Sequence, residues 1–378
     1  MDFDMTAEQE MLKESAQEFF SRELNSEMIR EMETDEKGYS PEIWEKISRI
    51  GWMGLLVPEA YDGAEMGLLD MAVLLEEMGS AAFTSPFLST AVVSVLTLLE
   101  AGSESQREKL LPGISAGKKI MTLGWNEKGV ETSGKAIAAK GDLQGDQYVL
   151  NGTKMFVPYA HVADHIITAV RTGDAGDSGE DGISLFIVDR KCPGLGIDMI
   201  DVMAGDKQCE LTFKDVRVSA EDMLGEENQG WAVLKNVFRK AAVAQCAEMV
   251  GGARRVLEMT VEYAKKRLQF GQLIGQFQAI QHHCAKMLTF METSEMMTYQ
   301  ACWMIDQGQD YEKHASMCKA WVSESYRKLV ALGHQVMGGF GFMEEVDHQL
   351  YYRRAKTGEI LFGDATYHRE LVAQKMEL

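Results

Sequence analysis

The stretch KAIAAKGDLQGDQYVLNGTKMFV, residues 135–157, decides how this chain must fold. It consists of short β-rich runs separated by Gly and Asp, residues that end helices and turn strands. Asn151-Gly152, within LNGT, lies between two such runs. Asn-Gly is the pair that two-residue hairpin turns prefer, so a hairpin is expected there. The texture continues in ADHIITAVRT (163–172), GISLFIVDR (182–190) and CELTFKDVRVS (209–219), with TGDAGDSGEDG (172–182) reading as a polar loop. Residues 119–228 are therefore expected to form a small β domain, a barrel or sandwich.

Outward in both directions the pattern becomes helical. Before it, residues 1–118 read as an N-terminal α-helical domain. Thr6-Ala7-Glu8-Gln9 fits a capping box, and Ser40-Pro41 before EIWEKISRIG supplies an N-cap, a Pro at N1 and a closing Gly51. MGLLDMAVLLEEMGSAA (66–82) and TAVVSVLTLLEAGS (90–103) are apolar enough to be buried helices. After it, residues 229–378 carry long helical patterns that predict a C-terminal four-helix bundle with extensive surfaces for self-association. The fold class is thus mainly α with a central β domain, and no internal repeat or low-complexity tract interrupts it.

Composition excludes several functions. With 38 basic and 58 acidic residues the net charge is −20, which argues against general nucleic-acid binding and against docking on anionic lipid. No apolar run is long enough to span a bilayer, and the start MDFDMTAEQE suits neither a signal nor a transit peptide. The six cysteines, Cys192, Cys209, Cys246, Cys284, Cys302 and Cys318, are scattered without a CxxC pair, as expected for reduced thiols in a cytoplasmic protein.

Three runs carry chemistry. KRLQFGQLIGQFQAIQHH (266–283) places a fixed cation, an amide and an aromatic, Arg267, Gln269 and Phe270, just before a glycine break; these suit a phosphate and a stacked heterocycle. HQVMGGFGF (334–342) puts Gly338, Gly339 and Gly341 after a helix, where backbone can approach a pyrophosphate. Either run alone also fits a plain helix end. RRAKTGEILFGDATYHREL (353–371) breaks at Leu361-Phe362-Gly363-Asp364, with Asp364 able to cap a new helix. His161 and His165, and the adjacent His282, His283 and Cys284, lack metal-ligand context, so no metal is expected. A P-loop, a strand-linked GxGxxG and a GxSxG elbow are all missing from the sequence.

Taken in order, these features resemble the acyl-CoA dehydrogenase family over nearly the whole chain. LLVPEAYDG (55–63) is similar to the family's VPEEYGG, YVLNGTKMFV (148–157) to YxLNGxKxWIT, and LTFKDVRVSAEDMLGEENQGW (211–231) to FxDVxVPxxxxLGxxxxG. RLQFGQLIGQFQAIQ (267–281) is similar to RxxFGxxIxxFQxxQ, and QVMGGFGF (335–342) to QxxGGxGY. The resemblance implies FAD held between the β domain and the bundle, in tetramers whose neighbouring subunits complete each site. It places Arg267, Gln269 and Phe270 at the pyrophosphate and adenine, together with Gln335, Gly338 and Gly339 from a neighbouring chain. It places Trp125, Asn126, Phe156 and Pro158 at the flavin ring, and Asp364 and Thr366 in hydrogen bonds to the cofactor. Thr132 lies near a serine that holds CoA, with Phe362 and Gly363 at the substrate.

The departures cluster at the chemistry. The position of Phe362 usually holds the glutamate that removes the α-proton of an acyl-CoA thioester, and a phenyl ring accepts no proton. Some branches carry that glutamate on a helix at the position of Ala241, and the arginine that often follows is Ala242. W-I-T becomes Phe156-Val157-Pro158, and Pro158 has no N–H to offer the flavin. TEPxxGSD becomes NEKGVETSG (126–134). Glu127, Glu248 and Asp364 are the candidate replacement acids. The leading expectation is an FAD-dependent acyl-CoA dehydrogenase-type subunit, with an unusual base or with a homologous Glu-bearing partner, passing electrons to an electron-transferring flavoprotein. The competing ones are a flavin-dependent monooxygenase or lyase on a CoA ester, and a non-catalytic subunit retained for assembly.

Overall fold

The computed structural model describes residues 4–129 and 132–378. Two compact units emerge, each stitched from separated parts of the chain: Met1–Arg30, Gly67–Phe83 and Arg239–Leu378 form one, Glu31–Met66 and Thr84–Phe238 the other.

The first unit is helical. It contains α1 (Ala7–Glu23), α4 (Leu68–Ser80), most of α7 (Gly230–Lys266), α8 (Gln278–Asp306), α9 (Glu312–Met337), α10 (His348–Ile360) and α11 (Ala365–Lys375). The expected capping box starts α1: Thr6 Oγ1 accepts from Gln9 N, and Gln9 Oε1 accepts from Thr6 N. The N-terminus of α4 is capped from a distance, because Asp306 at the end of α8 accepts from the amides of Leu68 (2.7 Å) and Leu69 (2.9 Å). Helices α4 and α7 cross at Gly79 and Gly251; a Cβ on either would run into a backbone carbonyl of the other helix. Arg254 on α7 secures that crossing by donating to Glu76 and Glu77, both buried, while Tyr299 Oη donates to Glu76 (2.6 Å). Helix α9 packs against α8, α10 and α11 and so forms the spine of the bundle.

The second unit holds α3 (Pro41–Ile50), α5 (Val95–Ala101), α6 (Glu104–Ser115) and the sheet; α2 (Ser26–Thr34) lies where the chain passes between units. Ser40 caps α3 with Pro41 at N1, and Gly51 closes it in the left-handed conformation. The stretch Leu88–Ser94 ahead of α5 winds as a wider π-helix. The strands are β1 (Met121–Gly124), β2 (Lys140–Gln144), β3 (Gln147–Pro158), β4 (His165–Arg171), β5 (Ile183–Asp189), β6 (Leu195–Ile200), β7 (Gln208–Ser219) and β8 (Met223–Leu224). They run in the order β6-β7-β3-β2-β4-β5-β8, with β1 added parallel to β4.

Two expectations are corrected. The strand path has two open ends, so the barrel alternative for this domain is not realised. The hairpin also lies elsewhere. Asn151-Gly152 sits inside the single strand β3, and the turn joining β2 to β3 is Gly145-Asp146, closed by the pair Gln144 and Gln147. Gly145 is left-handed at the first turn position, as such turns require. Gly152 instead marks a bulge against β7, where the Asn151 side chain accepts from Asp215 N (2.9 Å) and donates to Asp215 Oδ1 (3.1 Å). Among the described residues no helix is long and apolar enough to cross a membrane.

Candidate functional site

In the helical unit, α10 ends at Ile360 and the chain reverses before α11. Phe362 (φ 59°) and Gly363 (φ 98°) make the reversal as consecutive left-handed residues. For a bulky side chain that conformation costs roughly 1–2 kcal/mol, so the surroundings must impose it. Gly363 cannot be replaced at leisure, since a Cβ there would meet the Tyr367 ring. Asp364 caps α11 as its sequence suggested, accepting from Tyr367 N (2.8 Å). Around the reversal, His368 Nε2 meets Phe362 O at 3.0 Å, and Lys319 Nζ on α9 donates to the carbonyls of Gly358, Glu359 and Gly363. Phe362 is half-buried and Thr366 is exposed on the first turn of α11.

No carboxylate stands at position 362, and the acids proposed in its place have other partners. Ala241 and Ala242 are fully buried on α7. Glu248 accepts from Gln245 Nε2 (3.1 Å). Glu127 accepts from the amides of Ala138 and Ala139 (3.0 Å each) and from Lys154 Nζ (2.6 Å). Burial lowers the fully enclosed Lys154 to about 8, an effect that Glu127 opposes. Asp364 is committed to the α11 cap.

The sheet unit presents the residues after β1. The Trp125 ring lies 4.8 Å from that of Phe238 and 6.3 Å from that of Trp231. The Trp231 indole N–H is buried with no partner among the described residues. Asn126 O accepts from Met155 N (2.8 Å), which ties the Trp125-Asn126 segment to β3. Phe156 (φ 55°) sits in a second bulge of β3, between Lys154 and Val157, and its ring is half-exposed. Pro158 ends β3, its carbonyl accepting from Thr122 Oγ1 (2.6 Å). Thr132 is half-buried; Val130 and Glu131 of NEKGVETSG lie outside the described residues. Trp231 and Phe238 escaped the sequence reading, although both are apolar aromatics on the first three turns of the helix that opens at the last glycine of LGEENQGW.

Back in the helical unit, the two glycine-bearing runs form one surface. Phe270 (φ 53°) and Gly271 (φ 81°) turn a small hairpin that pairs Leu268–Gln269 with Gln272–Leu273. Two left-handed residues are what a type I′ turn demands. Phe270 stands at its tip, 91% exposed, and Arg267 and Gln269 are exposed beside it. Gln335, at the end of α9, is also exposed, and Gly338 (φ 63°) and Gly339 face open space. The Tyr263 ring stacks on Phe340 (5.7 Å, 12°), and Val336 shares an apolar cluster with Ala264 and Ile274. The sequence offered these as separate motifs; within one chain they lie together.

His161 and His165 do not converge: His161 Nε2 meets Lys37 O and His165 Nε2 meets Lys119 Nζ. Among the described residues no three His, Cys, Asp or Glu side chains gather as metal ligands.

Comparison with known proteins matches three family models in succession: "Acyl-CoA dehydrogenase, N-terminal domain" over residues 6–118, "middle domain" over 122–216 and "C-terminal domain" over 228–377. Among curated proteins, an acryloyl-CoA reductase (NADH) of Anaerotignum propionicum is 30% identical, the alignment covering 100% of this chain and 96% of the relative. The CarC subunit of the caffeyl-CoA reductase–Etf complex of Acetobacterium woodii is 29% identical over 96% of each chain. Among solved structures, PigA with FAD and proline superposes with a TM-score of 0.91 at 29% identity, covering 100% of both chains.

Proposed function

The chain belongs to the acyl-CoA dehydrogenase family, and from that premise we propose that it is the base-less subunit of an enzyme acting on acyl-CoA thioesters, paired with a homologous subunit that carries the glutamate. It is an FAD-dependent oxidoreductase of that family. One observation carries the finer reading. The reversal at 361–364 is built around a phenyl ring in the left-handed conformation, while Glu127, Glu248 and Asp364 are all held in other hydrogen bonds.

The residues present fit the cofactor. Arg267 offers an exposed cation for a diphosphate, Phe270 an exposed ring for a purine, and Gly338-Gly339 backbone with open space before it. Gln269 and Gln335 flank them. Trp125, Asn126, Phe156 and Pro158 would meet the flavin ring, with Pro158 giving no N–H, and Asp364 and Thr366 would hydrogen-bond the cofactor. When bound, FAD supplies the acceptor for the electron pair that leaves the β-carbon as hydride. The N–H of residue 362 donates to the thioester carbonyl and favours charge on its oxygen as the α-proton departs. Thr132 contacts the CoA chain. The proton itself goes to a carboxylate that this chain does not provide. An electron-transferring flavoprotein is the acceptor that fits, in keeping with the Etf complex of one relative.

The test is anaerobic stopped-flow on singly expressed, FAD-loaded protein with a panel of acyl-CoA thioesters. The flavin should bleach slowly. Phe362→Glu should bleach it faster, and general-base catalysis is typically worth about 10²–10⁴ in rate. Fast bleaching by the unmutated protein would place the base within this chain. Absence of any gain in Phe362→Glu, with thioester binding demonstrated, would show a site rebuilt for another reaction.

A further inference from the structure

Lys319 lies on α9 with its side chain fully buried, and its Nζ has four acceptors: Gly358 O (2.9 Å), Glu359 O (3.1 Å), Gly363 O (3.0 Å) and Ser323 Oγ (3.0 Å). A buried cation is unfavourable unless it is well bonded, and apolar residues of similar volume usually do as well or better. The amine must therefore be understood through what it holds. Gly358 and Glu359 are in the last turn of α10, whose carbonyls have no partner within the helix. Gly363 is the second residue of the reversal, directly after Phe362. One side chain thus ties the backbone on both sides of Phe362.

His368 closes the arrangement from α11. Its ring is buried, and Nε2 meets Phe362 O at 3.0 Å, whereas Nδ1 has no partner among the described residues. Burial, with Lys319 nearby, lowers it to about 4, so at neutral pH the imidazole is uncharged and the proton sits on the bonded Nε2. Four carbonyls within six residues, at 358, 359, 362 and 363, are fixed by two side chains from two different helices.

We propose that Lys319 and His368 are positioning residues that clamp the backbone of residue 362 in its left-handed conformation, and so set where the thioester carbonyl of an acyl-CoA is held whatever side chain stands at 362. The placement of the thioester rests on the acyl-CoA reading above; the clamp itself does not. It accounts for a bulky ring held at φ 59°.

The experiment uses the full-length, FAD-loaded protein and the variants Lys319→Met, His368→Leu and His368→Gln. Hydrogen exchange is read first, without ligand. Amides of the 358–364 segment should exchange at least tenfold faster in Lys319→Met and His368→Leu than in wild type. His368→Gln, whose Nε2 can still donate to Phe362 O, should remain close to wild type. Unchanged exchange in both disruptive variants overturns the clamp. If Lys319→Met does not fold, the His368 pair decides. Butyryl-CoA, octanoyl-CoA and free CoA are then titrated. Thioester affinity should fall about tenfold in the loosened variants and that of free CoA should not; faster exchange with unaltered thioester preference overturns the placement role. A wild-type protein that fails to distinguish the thioesters from free CoA would sink the acyl-CoA reading, and the placement role with it, while the exchange data would still decide the clamp.

Discussion

At the scale of single residues, Glu127 and Lys154 show how a carboxylate beside a candidate site can be committed to structure. Lys154 is fully enclosed, and Glu127 is both its counter-charge (2.6 Å) and the acceptor for two backbone amides. Removing one member of a buried pair leaves the other charge uncompensated. Glu127→Ala should therefore destabilise the protein by about 3–5 kcal/mol, and adding Lys154→Met should recover much of that loss. Urea unfolding of both variants measures it; a double mutant less stable than Glu127→Ala would show that the charges are not coupled as the distances suggest. Residue-level legibility was uneven. Gly363 and Asp364 declared the reversal, because a permissive residue beside a capping one is a local signal. Lys319 did not, although a signal existed: Ala315, Lys319, Val322, Tyr326 and Val330 follow helical spacing, so the lysine interrupts an apolar stripe that turns out to be buried throughout.

At the scale of elements, the strand reading failed where two local cues competed. Asn151-Gly152 and Gly145-Asp146 both satisfy turn chemistry, and pairing with β7, some sixty residues away, selects which one turns. Helix boundaries were more legible, since caps are local. The contact of α9 with α10 yields a pH prediction. His334 and His348 are buried with ring centroids 4.4 Å apart, and His348 Nε2 meets Val330 O (3.2 Å). Burial first, then His334, lowers His348 from 6.5 to about 4, against the opposing backbone bond. Above pH 6.5 neither folded nor unfolded His348 is charged, so it contributes no pH dependence. Between 6.5 and 4 the unfolded chain binds a proton that the folded one refuses, so stability falls as pH falls. The full displacement corresponds to roughly 3 kcal/mol. His348→Gln retains an amide donor for Val330 and should flatten the decline of urea midpoints between pH 7 and pH 5. An identical decline in both proteins would locate the acid sensitivity elsewhere.

For the molecule as a whole, the helical–β–helical order was legible from texture, while the interleaving of the chain into two units was not. The helical unit is assembled by Arg254 reaching Glu76 and Glu77, by Asp306 capping α4, and by the glycines at the α4–α7 crossing; none of these pairings has a local signature. Its outer surface bears on association. Leu288 (46% exposed) and Met296 (53%) on α8, and Met317 (39%) and Trp321 (40%) on α9, leave apolar area in water, and Phe270, Phe340 and Phe342 are exposed around the cofactor-binding candidates. Burying such area favours association in proportion to its extent. Against it stands the charge of −20 on every copy, whose repulsion is screened over about 10 Å at 0.1 M salt. The balance predicts an oligomer at micromolar concentration that tightens as salt rises, the reverse of an assembly held by ion pairs. Arg267 and Gly338-Gly339 lie exposed on this surface, and the family resemblance has a neighbouring copy contribute Gly338-Gly339 to each FAD site, so a second copy is expected to complete it. Occupancy should then fall on dilution in step with dissociation, and Arg267→Ala should lower it at fixed oligomeric state. Sedimentation combined with flavin absorbance tests both halves together. A monomer at both low and high salt that retains full FAD would refute the shared site, because no second copy would then be needed to hold the cofactor.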